Sequence, residues 1–250
     1  MKIVVFSGTT EGRRLSRALA DAGAEVIVCV ATEYGEREQG SYPGVQTCRG
    51  PLSEEEKQRL PSGAALCVDA THPYAVHVTA SLERSCAAAG VPCLRLLRPE
   101  SDTAGALLFD SADAAALFLA ETEGNILLTT GAKELRAFAD IPPERLFPRV
   151  LPSHESLGAC EALGIPRRNI IAMQGPFTRE MNTATIRQYR IRWLLTKDGG
   201  KPGGFDEKAE AARETGARLL VLRRPEDKGY PYDDVLNQCL TLLSGETNKP

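Results

Sequence analysis

Residues Lys2-Ile3-Val4-Val5-Phe6-Ser7-Gly8-Thr9-Thr10-Glu11-Gly12-Arg13, followed by Leu15, Leu19 and Ala22 on one helical face, decide how this chain is read. An apolar run of strand length gives way to a glycine bend and then to a helix. In such a turn the free N–H groups and the positive end of the helix dipole meet an anion, and the glycines let a phosphate approach the backbone. The spacing is G-x-x-x-G, distinct from the G-x-G-x-x-G of dinucleotide sites. Glu11 would repel a phosphate unless its carboxylate turns aside or takes a ribose hydroxyl. The competing reading is a tight βα turn in which Gly12 merely permits close packing.

The same rhythm continues outward. Strands are expected at Lys2–Phe6, Glu25–Val30, Val45–Cys48, Ala65–Asp69 and Pro92–Leu97, with helices near Gly12, Ser53 and Ala75; Ser53-Glu54-Glu55-Glu56 has the pattern of a capping box. A second set follows at Asn125–Thr130, Leu146–Val150, Asn169–Met173, Arg192–Thr196 and Arg218–Leu222, with helices near Lys133, Ser153, Thr178, Asp206 and Asp233. About ten strands alternating with helices define an α/β protein with mainly parallel sheets. Arg98 to Ser111 lacks helical periodicity, so the expected domains are 1–100 and 101–250. No residue-level repeat links the halves, and the tail from Ser244 holds nothing apolar to dock it.

Composition narrows the function. The 250 residues carry 30 basic and 33 acidic side chains, a net −3 that provides no global field for a polyanion, so nucleic acid is not an expected partner. No stretch approaches the ~20 apolar residues of a membrane span and the first apolar run ends at Gly8, which gives the expectation of a cytoplasmic protein without a membrane partner. Seven scattered cysteines contain no C-x-x-C pair; Cys29, Cys67 and Cys93 fall in expected strands and read as buried fillers, and no metal site is expected. No apolar helix face marks an interface, so a monomer is the default.

Other strand exits carry chemistry. Asp69-Ala70-Thr71-His72-Pro73-Tyr74 lies where open α/β sheets bind ligands, although Asp69 and Pro73 also suit a structural turn. After the second strand come Thr32 and Glu33; the lack of an acid immediately at the strand end mildly favours a 2′-phosphorylated cofactor, with Thr32 or Arg37 as contacts, while Glu33 reaching round would serve NADH. Thr130-Gly131-Ala132-Lys133 repeats the strand–glycine–helix design. Lys197-Asp198-Gly199-Gly200-Lys201-Pro202-Gly203-Gly204 spends more glycine than a connector needs, which indicates a ligand-wrapping loop. Arg149, His154, Gln174-Gly175-Pro176-Phe177-Thr178 and Arg223-Arg224-Pro225 complete a ring of polar, largely cationic strand exits suited to a small polycarboxylate.

Taken together, Ser7 to Arg13, Asp69 to Tyr74, Thr130 to Leu135, Met173 to Phe177 and Thr196 to Gly200 resemble, in order and over the whole chain, the precorrin-6A and cobalt-precorrin-6A reductases of cobalamin biosynthesis. Ser7 stands where that family has glycine, and Glu100 follows an Arg-Pro pair where many members have an aromatic residue. The resemblance implies two Rossmann-like domains with a ligand cleft between them, NADPH or NADH as cofactor, and reduction of one ring double bond of a tetrapyrrole substrate.

On that reading Gly8, Thr9, Thr10, Glu11, Gly12, Arg13, Thr32, Asp69, Thr71, Thr130 and Gly131 are the expected cofactor contacts. Lys197, Asp198 and His72 are the candidate catalytic residues, with Lys197, Asp198 or water as the proton source. Arg149, Lys133, Gly199, Gly200 and Lys201 are the expected substrate contacts. Two rivals remain open: a nucleotide-binding regulator without turnover, and a dehydrogenase of another small anion.

Overall fold

The computed structural model describes residues 1–50 and 62–245, so the Ser53 capping box and most of the tail lie outside the described residues. The chain divides into two compact units, Met1–Pro99 with the segment from Pro225 onward, and Glu100–Arg224.

Unit 1 holds β1 (Lys2–Phe6), α1 (Thr10–Asp21), β2 (Glu25–Val30), α2 (Glu33–Gln39), β3 (Val45–Arg49), β4 (Leu66–Asp69), α3 (Val76–Ala89) and β5 (Cys93–Arg95). Its five parallel strands run in the order β3-β2-β1-β4-β5. The apolar run in β1 is uninterrupted because both faces of the sheet are covered. Ile3 and Val5 pack with Leu15 and Leu19, while Val4 and Phe6 pack with Cys29, Cys67, Leu82 and Cys86.

Unit 2 holds β6 (Leu107–Phe109), α4 (Ala112–Ala120), β7 (Asn125–Leu128), β8 (Leu146–Val150), α5 (His154–Ala162), β9 (Ile171–Ala172), α6 (Arg179–Gln188), β10 (Ile191–Lys197), α7 (Phe205–Thr215) and β11 (Arg218–Leu222). Its six strands run β6-β11-β10-β7-β8-β9, again parallel. Leu128 and Leu195 face one core layer; Leu127 and Leu194 face the other.

Several expectations are corrected. The final helix, α8 (Tyr232–Ser244), belongs to unit 1 and not to a 101–250 domain, because Val235 and Cys239 are buried with Leu15 and Leu19 of α1. The expected helix at Lys133 is a 3₁₀ segment, Ala132–Phe138, and the expected strand 169–173 shortens to two residues after a 3₁₀ turn at Arg167–Asn169. The stretch read as a junction contains β6, and α2 and α4 were not anticipated. Both helices have a cap visible in sequence: Thr32 Oγ1 accepts from Gly35 N, and Ser111 Oγ accepts from Ala114 N.

Candidate active site

In each sheet the strand order reverses at one place. In unit 1 this lies between β1 and β4, and in unit 2 between β7 and β10. The loops leaving the carboxyl ends of those strands are where open α/β sheets take ligands. Four of the stretches singled out by sequence, Ser7–Thr9, Ala70–Pro73, Thr130–Gly131 and Asp198–Gly204, are these loops.

In unit 1, Thr9 is the N-cap of α1. Its Oγ1 accepts from Gly12 N at 3.1 Å and donates to Ala70 O at 2.7 Å, joining the two loops at the reversal. Gly8 has φ +121°, and a Cβ there would meet nothing within 4 Å, so the bend opens onto free space. Gly12 is required for the opposite reason. A Cβ on it would collide with Ser7 Oγ and stand 3.0 Å from the Ala70 Cβ. Thr10 is exposed at the first helical position, while Arg13 turns away, donating to Glu38 Oε2 at 3.1 Å and Glu38 O at 2.7 Å.

Glu11 is neutralised by a residue the sequence reading did not single out. Arg98 donates to its Oε2 through Nη2 at 2.7 Å and Nε at 3.1 Å, and both side chains are almost buried. The carboxylate in the glycine bend is therefore paired. This removes the objection that it would repel a phosphate. Arg98 lies 87 residues away, so only the fold reveals the pair.

Asp69 organises the neighbouring loop. Its Oδ1 accepts from Thr71 N, Thr71 Oγ1 and Arg95 Nη1, and its Oδ2 accepts from Thr79 Oγ1. With Asp69 1% exposed, the carboxylate shapes the loop that Thr71 occupies. His72 is exposed, and its Nδ1 accepts from Tyr74 N at 3.4 Å. Thr32 caps α2, and Arg37 pairs with Glu33 across one turn.

In unit 2, Thr129 binds Leu195 O through both its N and its Oγ1, joining the β7 and β10 exits as Thr9 joins those of unit 1. Gly131 has φ +89° and open space beside its Cα; Lys133 is exposed. Lys197 Nζ donates to Glu134 Oε1 at 2.8 Å. Asp198 is buried and receives Ser101 Oγ at 2.6 Å, Gly200 N at 3.2 Å and the Arg224 guanidinium at 2.8 Å. Burial pushes its carboxyl up, but the Ser101 hydrogen bond and the Arg224 cation outweigh that and hold it below the ordinary carboxylate range. Asp198 therefore stays ionised at neutral pH, the wrong state for a proton donor. Gly199 and Gly200 are buried beneath it; Lys201 is exposed.

Arg149, in β8, is buried with no carboxylate within ion-pair distance among the described residues. Its Nη1 donates to Asn182 Oδ1 at 2.7 Å, and its guanidinium lies 4.0 Å over the Phe177 ring. His154 is exposed at the start of α5. No group of three His, Cys, Asp or Glu among the described residues is arranged to hold a metal.

Two parallel sheets flanked by helices, each with ligand-type loops at its reversal and one with a glycine bend at a helix start, define a Rossmann-like α/β architecture. Residues 2–240 match the family described as Precorrin-6x reductase CbiJ/CobK. The chain is 34% identical over 233 residues to the cobalt-precorrin-6A reductase of Methanothermobacter thermautotrophicus, covering 90% of this chain and 77% of that one. It is 33% identical over 236 residues to the cobalt-precorrin-6A reductase of Priestia megaterium, covering 90% and 91%. The solved structure of a CobK precorrin-6A reductase matches the fold over 100% of both chains, with a TM-score of 0.75 at 24% identity. The chain belongs to the precorrin-6x reductase CbiJ/CobK family, whose members are oxidoreductases acting on a ring CH–CH bond in cobalamin biosynthesis.

Proposed function

We propose that this protein reduces cobalt-precorrin-6A with NADPH, taking the dinucleotide on the glycine bend of unit 1 and the tetrapyrrole on the strand exits of unit 2. The observation that carries the cofactor assignment is the Glu11–Arg98 pair beside the open Gly8 bend. An anion-binding turn is built there, and its one negative charge is already balanced. Ser7 Oγ, buried at the same bend with no hydrogen-bond partner among the described residues, is a further unsatisfied polar group at that place.

In this reading Gly8, Thr9 and Thr10 hold the diphosphate, Gly12 lets α1 pack close against Ser7 and Ala70, and Glu11 and Arg13 fix α1 and its surroundings. Asp69 positions Thr71, which with His72 borders the reversal. Thr32 stands after β2, where a ribose would lie; the missing acid at that strand end supports a 2′-phosphorylated cofactor. When bound, the reduced nicotinamide supplies a hydride. The protein's task is orientation, worth up to roughly 7–11 kcal/mol in favourable cases. Lys133, Lys197, Arg149 and the 199–201 loop face the substrate; Thr130 and Gly131, cofactor contacts in the sequence reading, leave the same sheet as these residues and are assigned to the substrate with them. Because Asp198 is held as a carboxylate, it positions this loop, and solvent provides the accompanying proton. The names of the first relatives favour the cobalt-containing substrate.

The test is to incubate the pure protein with NADPH or NADH and with precorrin-6A or its cobalt complex while following both absorbances. Oxidation of NADPH that depends on the cobalt complex is expected. No substrate-dependent oxidation with either nucleotide overturns the proposal.

A further inference from the structure

Two cations in unit 2 meet without enough negative charge to balance them. Arg149 is buried, and among the described residues its only hydrogen bond goes to the neutral Asn182. Lys208, on the first turns of α7, donates from Nζ to Gly203 O at 2.7 Å. The two groups converge on Phe177 and Gly204. The Arg149 guanidinium covers the Phe177 ring, and a Cβ on Gly204 would stand 3.9 Å from Lys208 Nζ, 3.9 Å from Phe177 O and 3.7 Å from Glu207 Oε2. Glu207 Oε2 is itself buried with no hydrogen-bond donor among the described residues. The burial of Lys208 and the Arg149 charge, opposed in part by Glu207, bring its ammonium down to about 8, and burial brings Arg149 down to about 10.

From this cluster we infer that Arg149 and Lys208 form a receptor for one carboxylate arm of the substrate, with the Phe177 ring as its wall. The inference rests on the proposed tetrapyrrole substrate and adds a residue that the sequence reading did not select. The charge count sets the ligand class. Glu207 offsets one of the two cations, leaving one positive charge, which suits a monoanionic carboxylate better than a phosphate dianion. Arg149 still has guanidinium N–H groups without acceptors, the donors a planar carboxylate engages. Leu151 and Met173, at the ends of the paired strands β8 and β9, are exposed and offer apolar surface to the ring that bears the arm.

The test compares Lys208→Met, Lys208→Arg, Arg149→Met and the double Met variant with the wild type. Three quantities are read: equilibrium binding of cobalt-precorrin-6A, steady-state kinetics at saturating NADPH, and NADPH affinity. Lys208→Met is expected to weaken tetrapyrrole binding and raise KM about tenfold, with kcat within about threefold and NADPH affinity unchanged; Lys208→Arg restores most of the loss. The double variant is expected to lose less than the product of the single losses, since both groups hold one carboxylate. A merely structural Lys208 would lower the melting temperature and kcat and leave KM in place, and that result overturns the inference. Should Lys208→Met fail to fold, Lys208→Gln takes its place. Wild-type turnover with tetrapyrrole binding unmoved by any variant removes the receptor alone. A wild type that neither binds nor reduces the tetrapyrrole removes the proposed function and the receptor with it.

Discussion

Arg98 closes on Glu11 with two hydrogen bonds to a single carboxylate oxygen, at 2.7 and 3.1 Å, and both side chains are almost buried. Losing one partner of a nearly buried pair leaves an uncompensated charge, typically at a cost of about 3–5 kcal/mol. Here that charge would stand in an anion site. Arg98→Ala is expected to weaken NADPH binding tenfold or more and to lower the melting temperature. Arg98→Ala combined with Glu11→Gln is expected to recover much of both. Fluorescence titration with NADPH and thermal melts check this, and equal affinity in Arg98→Ala and wild type would show that the pair has no bearing on the cofactor.

Gly12→Ala is expected to destabilise the protein by about 1–3 kcal/mol, the usual cost of overpacking. The added Cβ meets Ser7 Oγ and Cβ as well as the Ala70 Cβ. Ser7→Gly should therefore rescue Gly12→Ala in part, although it removes nothing at Ala70. Denaturant melts of the single and double variants supply the cycle, and strictly additive effects would contradict the packing argument.

Asp198 binds Ser101 and Arg224, near the points where the chain enters and leaves unit 2. Asp198→Ala is expected to cost about 3–5 kcal/mol by stranding Arg224. Because the folded-state carboxyl lies below its ordinary value of 3.8, its stabilising contribution is fully present above that value and is lost as the pH falls through the lowered one. The penalty measured by melts should thus be constant between about pH 8 and 5 and shrink only in stronger acid. An alkaline limb in the rate profile that disappears in Asp198→Asn would instead mark this residue as an acid catalyst.

Lys208 faces Arg149 from β8 and Glu207 on its own helix, and its ammonium is brought down to about 8 by burial first and by Arg149 second. A carboxylate is held by the protonated form only. The KM for the tetrapyrrole is expected to rise above about pH 8 and level off about tenfold higher, near the Lys208→Met value, and Lys208→Met should flatten that rise. Steady-state kinetics from pH 6.5 to 9.5 at saturating NADPH measure it; an identical alkaline rise in both proteins would assign it elsewhere.

What the sequence revealed follows from how local each signal is. The β1–Gly8–α1 unit was legible because a doubly buried strand, a left-handed glycine and a Thr9 cap occupy consecutive residues. The loop at Asp198 was legible because its glycines are dense. Arg98 and Lys208 were not. Each resembles an ordinary solvated charge until folding brings it beside Glu11 or Arg149. The placement of α8 was hidden for the same reason, since its Val235 and Cys239 find their partners in α1, more than 200 residues earlier in the chain. Asp69 read as a ligand contact or a turn cap; folding fills its carboxylate with Thr71, Thr79 and Arg95, partners that the local sequence did not reveal beyond Thr71.

The most direct measurement is the dissociation constant of NADPH for Gly8→Ala beside the wild type, with both shown to be folded by circular dichroism. A methyl group at Gly8 would project into the free space of the bend without touching the protein, and because φ +121° strains any L side chain, Gly8→Val serves as a second variant with a similar backbone cost and a larger intrusion. If that space receives the diphosphate, affinity drops at least tenfold while cobalt-precorrin-6A still binds. Unchanged NADPH affinity in a folded Gly8→Ala protein would place the dinucleotide elsewhere.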